Sequence, residues 1–234
     1  MSPIKKVRQI TAWSISRLQD WETCPRKAKH KHVERIKEPG NKAMERGSEI
    51  HKEAECYILG KTRKLPKSLK RFEIEFKELR KINKVVKTEE SLTVRDDWTQ
   101  TTWDDWDGAW LRAKVDAMYI DPDDPTRLIM IDFKTGRPRP DKHRDQLSLY
   151  AAIAFQLFFG IEVVDSELWY LDEGEIASER FTRAQAEQLR KTWEKKAKPM
   201  LTDKTFKAKP SSACAWCFYG QAGKAKGGPG CCEF

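Results

Sequence analysis

Residues 128 to 131, Leu-Ile-Met-Ile, form a short unbroken apolar run, and Asp132, Phe133 and Lys134 follow it at once. A run of this length bounded by turn residues predicts a buried strand, on which residues i and i+2 share a face, so Asp132 and Lys134 should look out side by side. Similar reading predicts strands over 91–94, 109–120 and 127–134, with Asp107-Gly108 and the DPDDP segment turning the chain between them. These three fit neighbouring positions in one sheet. Helical spacing marks 14–33, with Ser14 or Ser16 as N-cap and Pro25 starting a second turn. It recurs over 41–60, through Met44, Ile50, Ala54 and Ile58 to Gly60, with His51 in the middle. A lysine-rich connection then leads to a stretch through Phe72, Phe76 and Leu79, read as a solvated basic helix. Residues 141–160 predict a helix with one apolar stripe of Leu147, Tyr150, Ala151, Ala154, Leu157 and Phe158. A strand over 162–171 and a helix over 182–201 complete the regular part. The last residues, from Ser211, are rich in Gly, Lys and Cys and lack apolar periodicity, so something other than a hydrophobic core must order them.

Composition narrows the class. The chain has 234 residues with a formal net charge of +9, a pI near 9.2 and a mean hydropathy of -0.75. That balance suits a polyanionic partner such as nucleic acid, while nine Trp and ten Phe exclude wholesale disorder. The length predicts a single domain, 1–234, in which 1–88 is a helical N-terminal part, 89–200 an α/β core and 201–234 a cysteine-rich tail. No segment is long and apolar enough to span a bilayer and no secretory leader is recognisable, so a cytoplasmic protein is expected. There, six cysteines point to metal ligation or free thiols rather than to disulfides.

The chemistry concentrates on two aspartates. Asp116 sits among the apolar residues Val115, Ala117 and Met118, one hairpin away from Asp132. Two carboxylates on adjacent strands repel unless a cation or a proton lies between them. Mg²⁺ takes a few carboxylates plus waters and phosphate oxygens, and it acidifies a bound water; Lys134 would orient that water or neutralise charge developing on phosphorus. The tripeptide on its own would also suit a surface ion pair.

Four local patterns resemble, in order, those of the PD-(D/E)xK nuclease superfamily, specifically its RecB-like exonuclease branch, which includes CRISPR-adaptation nucleases and phage recombination exonucleases. "GSEIHKEAE" resembles the helical motif whose histidine joins the metal site, here His51. "AKVDAMYID" resembles the G-x-x-D strand, with Ala113 where the glycine usually stands and Asp116 as ligand. "IDFKTGRP" resembles the D/E-x-K motif, giving Asp132, Lys134 and a ligand in the Phe133 carbonyl. "QLSLY" resembles Q-x-x-x-Y, giving Gln146 and Tyr150, which lie one helical turn apart and would face bound DNA together. The family often adds an acid before the first strand, a place open to Glu89 or Glu90, with Glu90 ranked first.

The resemblance implies a restriction-endonuclease-like α/β fold, a mixed β-sheet flanked by helices, with an N-terminal helical region and the cysteine-rich tail packed on it. It also implies a Mg²⁺- or Mn²⁺-dependent deoxyribonuclease, an exonuclease on single-stranded DNA or processed ends, serving recombination, repair or spacer processing. The histidine would favour Mn²⁺ somewhat. In the same branch an early cysteine and three late ones hold a [4Fe-4S] cluster. By that resemblance the ligands are Cys24, Cys214, Cys217 and either Cys231 or Cys232, while zinc on the four late cysteines stays open because the last gap is long. Cys56 reads as a buried small residue. For DNA contacts, the basic stretches 61–71, 137–144 and 190–198 offer phosphate partners, Trp98, Trp103, Trp106 and Trp110 offer stacking surfaces, and Arg137 and Arg139 follow the metal residues directly. Two rival readings are a catalytically inactive DNA-binding module of the same fold and a zinc-stapled interaction protein.

Overall fold

The computed structural model describes residues 9–234, apart from the side chains of residues 140–142. The chain divides into two compact units: Gly40–Trp193, and the residues up to Pro39 together with Glu194–Phe234.

The unit Gly40–Trp193 is built on a five-stranded sheet of order β1-β2-β3-β4-β5. Its strands are β1 (Lys87–Val94), β2 (Leu111–Asp121), β3 (Asp124–Lys134), β4 (Val163–Tyr170) and β5 (Glu175–Thr182). All neighbours are antiparallel except β3 and β4. A parallel pair needs a crossover, and the long helix between these two strands supplies it. The result is the mixed sheet with flanking helices that the sequence predicts.

In the unit around Cys24, α1 (Ile15–Thr23) is capped by Ser14, whose hydroxyl accepts from the Arg17 amide, and α2 (Pro25–Ala28) has its proline at the first position, where no amide is needed. A π-helical turn, Lys29–Val33, follows. In the sheet unit, α3 (Lys42–Ile58) starts at Asn41, which accepts from the Met44 amide. The stretch through Phe72, Phe76 and Leu79, expected as a solvated basic helix, is packed into the core. A 3₁₀ turn, Lys67–Phe72, runs into α4 (Glu73–Lys81), and Leu69, Phe72, Phe76 and Leu79 recur every three or four residues into the core. There they join Ile50, Ala54 and Tyr57 of α3 against Ala117, Ile131, Phe133 and Trp169 of the sheet. Charged residues outnumber apolar ones in this stretch, but the apolar ones fall on one face.

Helix α5 (Pro140–Leu157) is the crossover. It buries more than the single stripe the spacing predicts: Leu149, Ala152, Ile153 and Phe155 are buried along with Leu147, Tyr150, Ala151 and Ala154. The missed element is β5. It is an edge strand in which only Phe181 is buried, so the alternation that reveals half-buried strands is almost absent. Helix α6 (Ala186–Thr202) carries the chain on, with Pro199 near its end.

Candidate metal centre

The register of the first three strands decides which acids meet. Ala117 pairs with Ile131, so one step further Asp116 stands opposite Asp132. On the other side, Thr88 pairs with Ala117 and Glu90 with Val115, which leaves Glu89 opposite Asp116. Directly opposed residues share a face. Glu89, Asp116 and Asp132 therefore form a row across β1, β2 and β3. The structure gathers Glu89, not Glu90, into this group: Glu90 falls on the opposite face of the pleat, 3.6 Å from the Lys87 ammonium. Glu89 also adopts a left-handed backbone, φ 54°, an uncommon conformation outside glycine.

Helix α3 brings His51 to the row. Its Nδ1 lies 3.0 Å from Asp116 Oδ1, and the other carboxylate oxygen accepts from the Phe133 amide at 2.6 Å. Ligand atoms of His51, Glu89 and Asp116 all lie within 4.8 Å of one another, the one such set of three or more among the described residues. Gly47, one turn earlier, lets α3 approach the loop after β3, since a Cβ there would come within 3.2 Å of Thr135 Oγ1. The same approach is tied by Arg46, which forks onto Asp172 at 2.9 and 2.5 Å, while Asp172 accepts from the Gly136 amide.

Helix α5 holds the other end of the row. Gln146 Nε2 donates to Asp132 Oδ1 at 2.7 Å, and Gln146 Oε1 accepts from Lys134 Nζ at 2.9 Å. The Tyr150 hydroxyl has two acceptors in reach, Asp132 Oδ1 at 2.8 Å and the Lys114 carbonyl at 2.7 Å. Tyr150 is 1% exposed, so it braces Asp132 and does not face a bound strand. One apolar face of α5 had to be buried, and the tyrosine lies within it.

Each acid has one basic neighbour. Asp116 has His51, Glu89 is paired with the Lys114 ammonium, and Asp132 Oδ2 touches Lys134. Yet Asp132 Oδ2 is buried and makes no hydrogen bond of normal direction. A buried carboxylate oxygen left in that state suits a cation ligand. Burial pushes the Asp116 carboxyl above its usual value, and Asp132 adds to this against the opposing pull of His51. His51 too ends above its usual value: burial lowers it, but the hydrogen bond to Asp116 and the charges of Asp132 and Glu89 outweigh that. Both shifts favour the protonated forms, with which a metal ion would compete. Burial and both aspartates drive Tyr150 far up, so it stays a donor. Oxygen donors with one imidazole fit Mg²⁺ or Mn²⁺. A cleft of about 390 Å³, lined by Ser48, His51, Lys52, Glu55, Glu89 and Lys114, opens beside the row.

The outlying residues vary. Arg137 and Arg139 are exposed, in the segment between β3 and α5. Of the tryptophans, Trp98 is buried and packs edge-on against Trp110, whereas Trp103 and Trp106 are exposed.

In the other unit, Cys24, Cys214, Cys217 and Cys232 line one cavity of about 240 Å³, beside His30 and Tyr219. Backbone amides already point at two of the sulfurs, Lys209 N–H at Cys24 and Ser211 N–H at Cys214, both at 3.4 Å. Cys231 does not line the cavity, but its sulfur lies 3.3 Å from His30 Nε2, and His30 Nδ1 is held by Glu34. Cys56, on α3, is half-buried.

No curated protein matches the chain. Among solved structures, one titled "Crystal structure of SSO0001" aligns at 15% identity over 92% of this chain and 87% of that one, with a TM-score of 0.41, a likeness too distant to inform the site. The family comparison is decisive: the model of the PD-(D/E)XK nuclease superfamily matches residues 12–222, a span that includes the whole acidic row, and the chain belongs to that superfamily.

Proposed function

We propose that this protein is a Mg²⁺- or Mn²⁺-dependent deoxyribonuclease of the RecB-like branch, an exonuclease acting on single-stranded DNA or free ends, and that residues 1–234 work as one nuclease domain. The observation that carries this reading is the close set of His51, Glu89 and Asp116, with Asp132 opposite Asp116 on the next strand and Lys134 beside it. Glu89, Asp116, Asp132 and His51 would hold the ion, with the Phe133 carbonyl as a further donor. When bound, a divalent ion acidifies a coordinated water and offsets negative charge on the phosphodiester. The remaining work falls to the chain. Gln146 fixes the Lys134 ammonium next to Asp132, so a positive charge is in place where charge grows on phosphorus. Tyr150 and Gln146 together fix the rotamer of Asp132. Arg137 and Arg139 contact the strand. Recombination, repair or spacer processing would use such an activity, in a cytoplasmic setting where thiols stay reduced.

The four cavity cysteines support a [4Fe-4S] cluster on Cys24, Cys214, Cys217 and Cys232. Zinc at Zn–S distances of about 2.3 Å draws tetrahedral sulfurs to roughly 3.8 Å from each other. A [4Fe-4S] cluster binds each thiolate on a different iron and so does not require the four sulfurs to approach this closely.

Digestion of end-labelled single- and double-stranded DNA with Mg²⁺ or Mn²⁺ tests the reading. Product should shorten from an end, and both Asp132→Ala and Lys134→Ala should lower the rate at least about 100-fold. Absence of cleavage on every DNA form with either metal would leave a DNA-binding module without turnover.

A further inference from the structure

The loop between β1 and β2 presents two indoles to solvent: Trp106 is 71% exposed and Trp103 41% exposed. The loop is not loose. Arg112, itself only 7% exposed, donates to the carbonyls of Trp103 at 3.0 Å and Asp105 at 3.1 Å. Its guanidinium lies 5.9 Å and 5.1 Å from the two ring centroids. The Asp105 carboxylate is absorbed within the loop, accepting from Thr101, from the Gly108 amide at 2.7 Å and from Arg95 at 3.0 Å. A side chain at Gly108 would meet that carboxylate at 2.6 Å. A buried cation and a dedicated turn thus hold in place two large apolar surfaces that the core does not use.

Their location relative to the acidic row follows from β2. Arg112, Lys114 and Asp116 alternate onto one face, so the residue that anchors the indoles is two pleats from the row, about 13 Å at 3.3 Å per residue. That is about four B-form base steps at 3.4 Å each. Charges of both signs lie beside the indoles, but Arg112 is buried beneath them and Arg95 is paired with Asp105, which leaves Asp104 and Asp107 as exposed charges. Such a surface opposes any phosphate backbone, and it opposes duplex, with the charge of two strands per unit length, more than a single strand. What it offers is a π-face, available to a base only when that base is unpaired, since in a duplex the bases are stacked inside and the phosphates face out.

We infer that Trp106, seconded by Trp103, is a stacking platform for an unpaired base of the DNA strand that enters the acidic row, and that Asp104 and Asp107 turn duplex away from it. This deepens the nuclease reading and rests on it for the identity of the partner.

The experiment is fluorescence anisotropy with a labelled single-stranded oligonucleotide and with the same sequence as a blunt duplex. It uses the full chain in EDTA, so that binding is read without cleavage. Trp106→Ala should weaken single-strand binding between about five-fold and about 100-fold and leave duplex binding unchanged, while Trp106→Phe keeps most of the affinity. Because Trp106 is mostly exposed, its removal should leave the melting temperature in place, which circular dichroism checks. Asp104→Asn combined with Asp107→Asn should raise duplex affinity. Equal single-strand affinity in Trp106→Ala and wild type overturns the platform, as does an equal loss on both DNA forms. Unchanged duplex binding in the double variant overturns the discrimination. A failure of the nuclease reading would be seen separately, as no cleavage by the wild type once metal is added.

Discussion

Lys114 holds the Glu89 carboxylate in the row, and a divalent ion that takes Glu89 as ligand must displace that ammonium. Lys114→Met keeps the alkyl stem and removes the charge, so metal-free stability and metal affinity should move in opposite directions. The pair is partly exposed, 51% for the lysine side chain and 28% for the glutamate, which places its strength at about 0.2–1 kcal/mol. Losing it in the metal-free protein should lower the melting temperature by about 0.5–4 °C. In the metal-bound protein the lysine is at best released into solvent, and at worst repels an ion a few ångströms away, at about 1 kcal/mol per unit charge in water. Removing it should therefore tighten metal binding by about 1–2 kcal/mol, or roughly five- to 30-fold. Calorimetric titration with Mn²⁺ measures the affinity, and thermal unfolding in EDTA measures the stability. Lys52→Met is the control: it lines the same cleft but pairs with Glu55 at 2.7 Å. Metal affinity that is unchanged or weaker in Lys114→Met would refute the displacement.

Three further outcomes are expected. Tyr150→Phe removes the one hydroxyl proton that lies between the Lys114 carbonyl and Asp132 Oδ1, so urea unfolding should show a loss of about 1–3 kcal/mol. Cys232→Ser should abolish the visible absorbance of anaerobically purified protein and Cys231→Ser should keep it, since only Cys232 lines the cavity with the other three. Asp20 gives a pH test. Burial pushes its carboxyl up, but hydrogen bonds from His32, Lys27 and Lys31 outweigh this and hold it well below the usual carboxylate range. A depressed folded-state pKa contributes stability that is present above the unfolded value near 4 and fades as pH falls below it. Unfolding curves at pH 5 and pH 3 should therefore separate, and Asp20→Asn should reduce the gap.

What could be read from the sequence, and what could not, divides along physical lines. Asp132 and Lys134 stood out because a charged pair directly follows a buried strand, and a helix shows its face through spacing alone, as Ile50, Ala54 and Tyr57 do in α3. Choosing between Glu89 and Glu90 needed the pairing of β1 with β2. Either glutamate satisfies a period of two, and one step of register exchanges their faces. Strand β5 was missed because water bathes most of it, and α4 was taken for a solvated helix because lysines and glutamates hide a regular apolar stripe. Tyr150 is expected at the DNA because the Q-x-x-x-Y pattern sets it one helical turn from Gln146, but it also lies on the apolar stripe of α5, and that stripe is buried. That Cys232 and not Cys231 lines the cavity with Cys24, Cys214 and Cys217 is a matter of local backbone path, which spacing along the sequence does not carry.

The braced carboxylate explains why one helical turn of α5 carries both a glutamine and a tyrosine. Asp132 has two oxygens, and the helix uses up only one of them. Gln146 and Tyr150 both converge on Oδ1, which fixes the plane of the carboxyl group and leaves Oδ2 directed at Lys134 without a proper hydrogen bond. Had either side chain reached Oδ2, the row would be satisfied without an ion and would have little to gain from one. Because the tyrosine also holds the Lys114 carbonyl, a single hydroxyl ties β2 to β3 next to both aspartates. The spacing of Asp116 and Asp132 is thereby set by packed residues, and the reorganisation left for a divalent ion to drive is the release of Lys114 from Glu89.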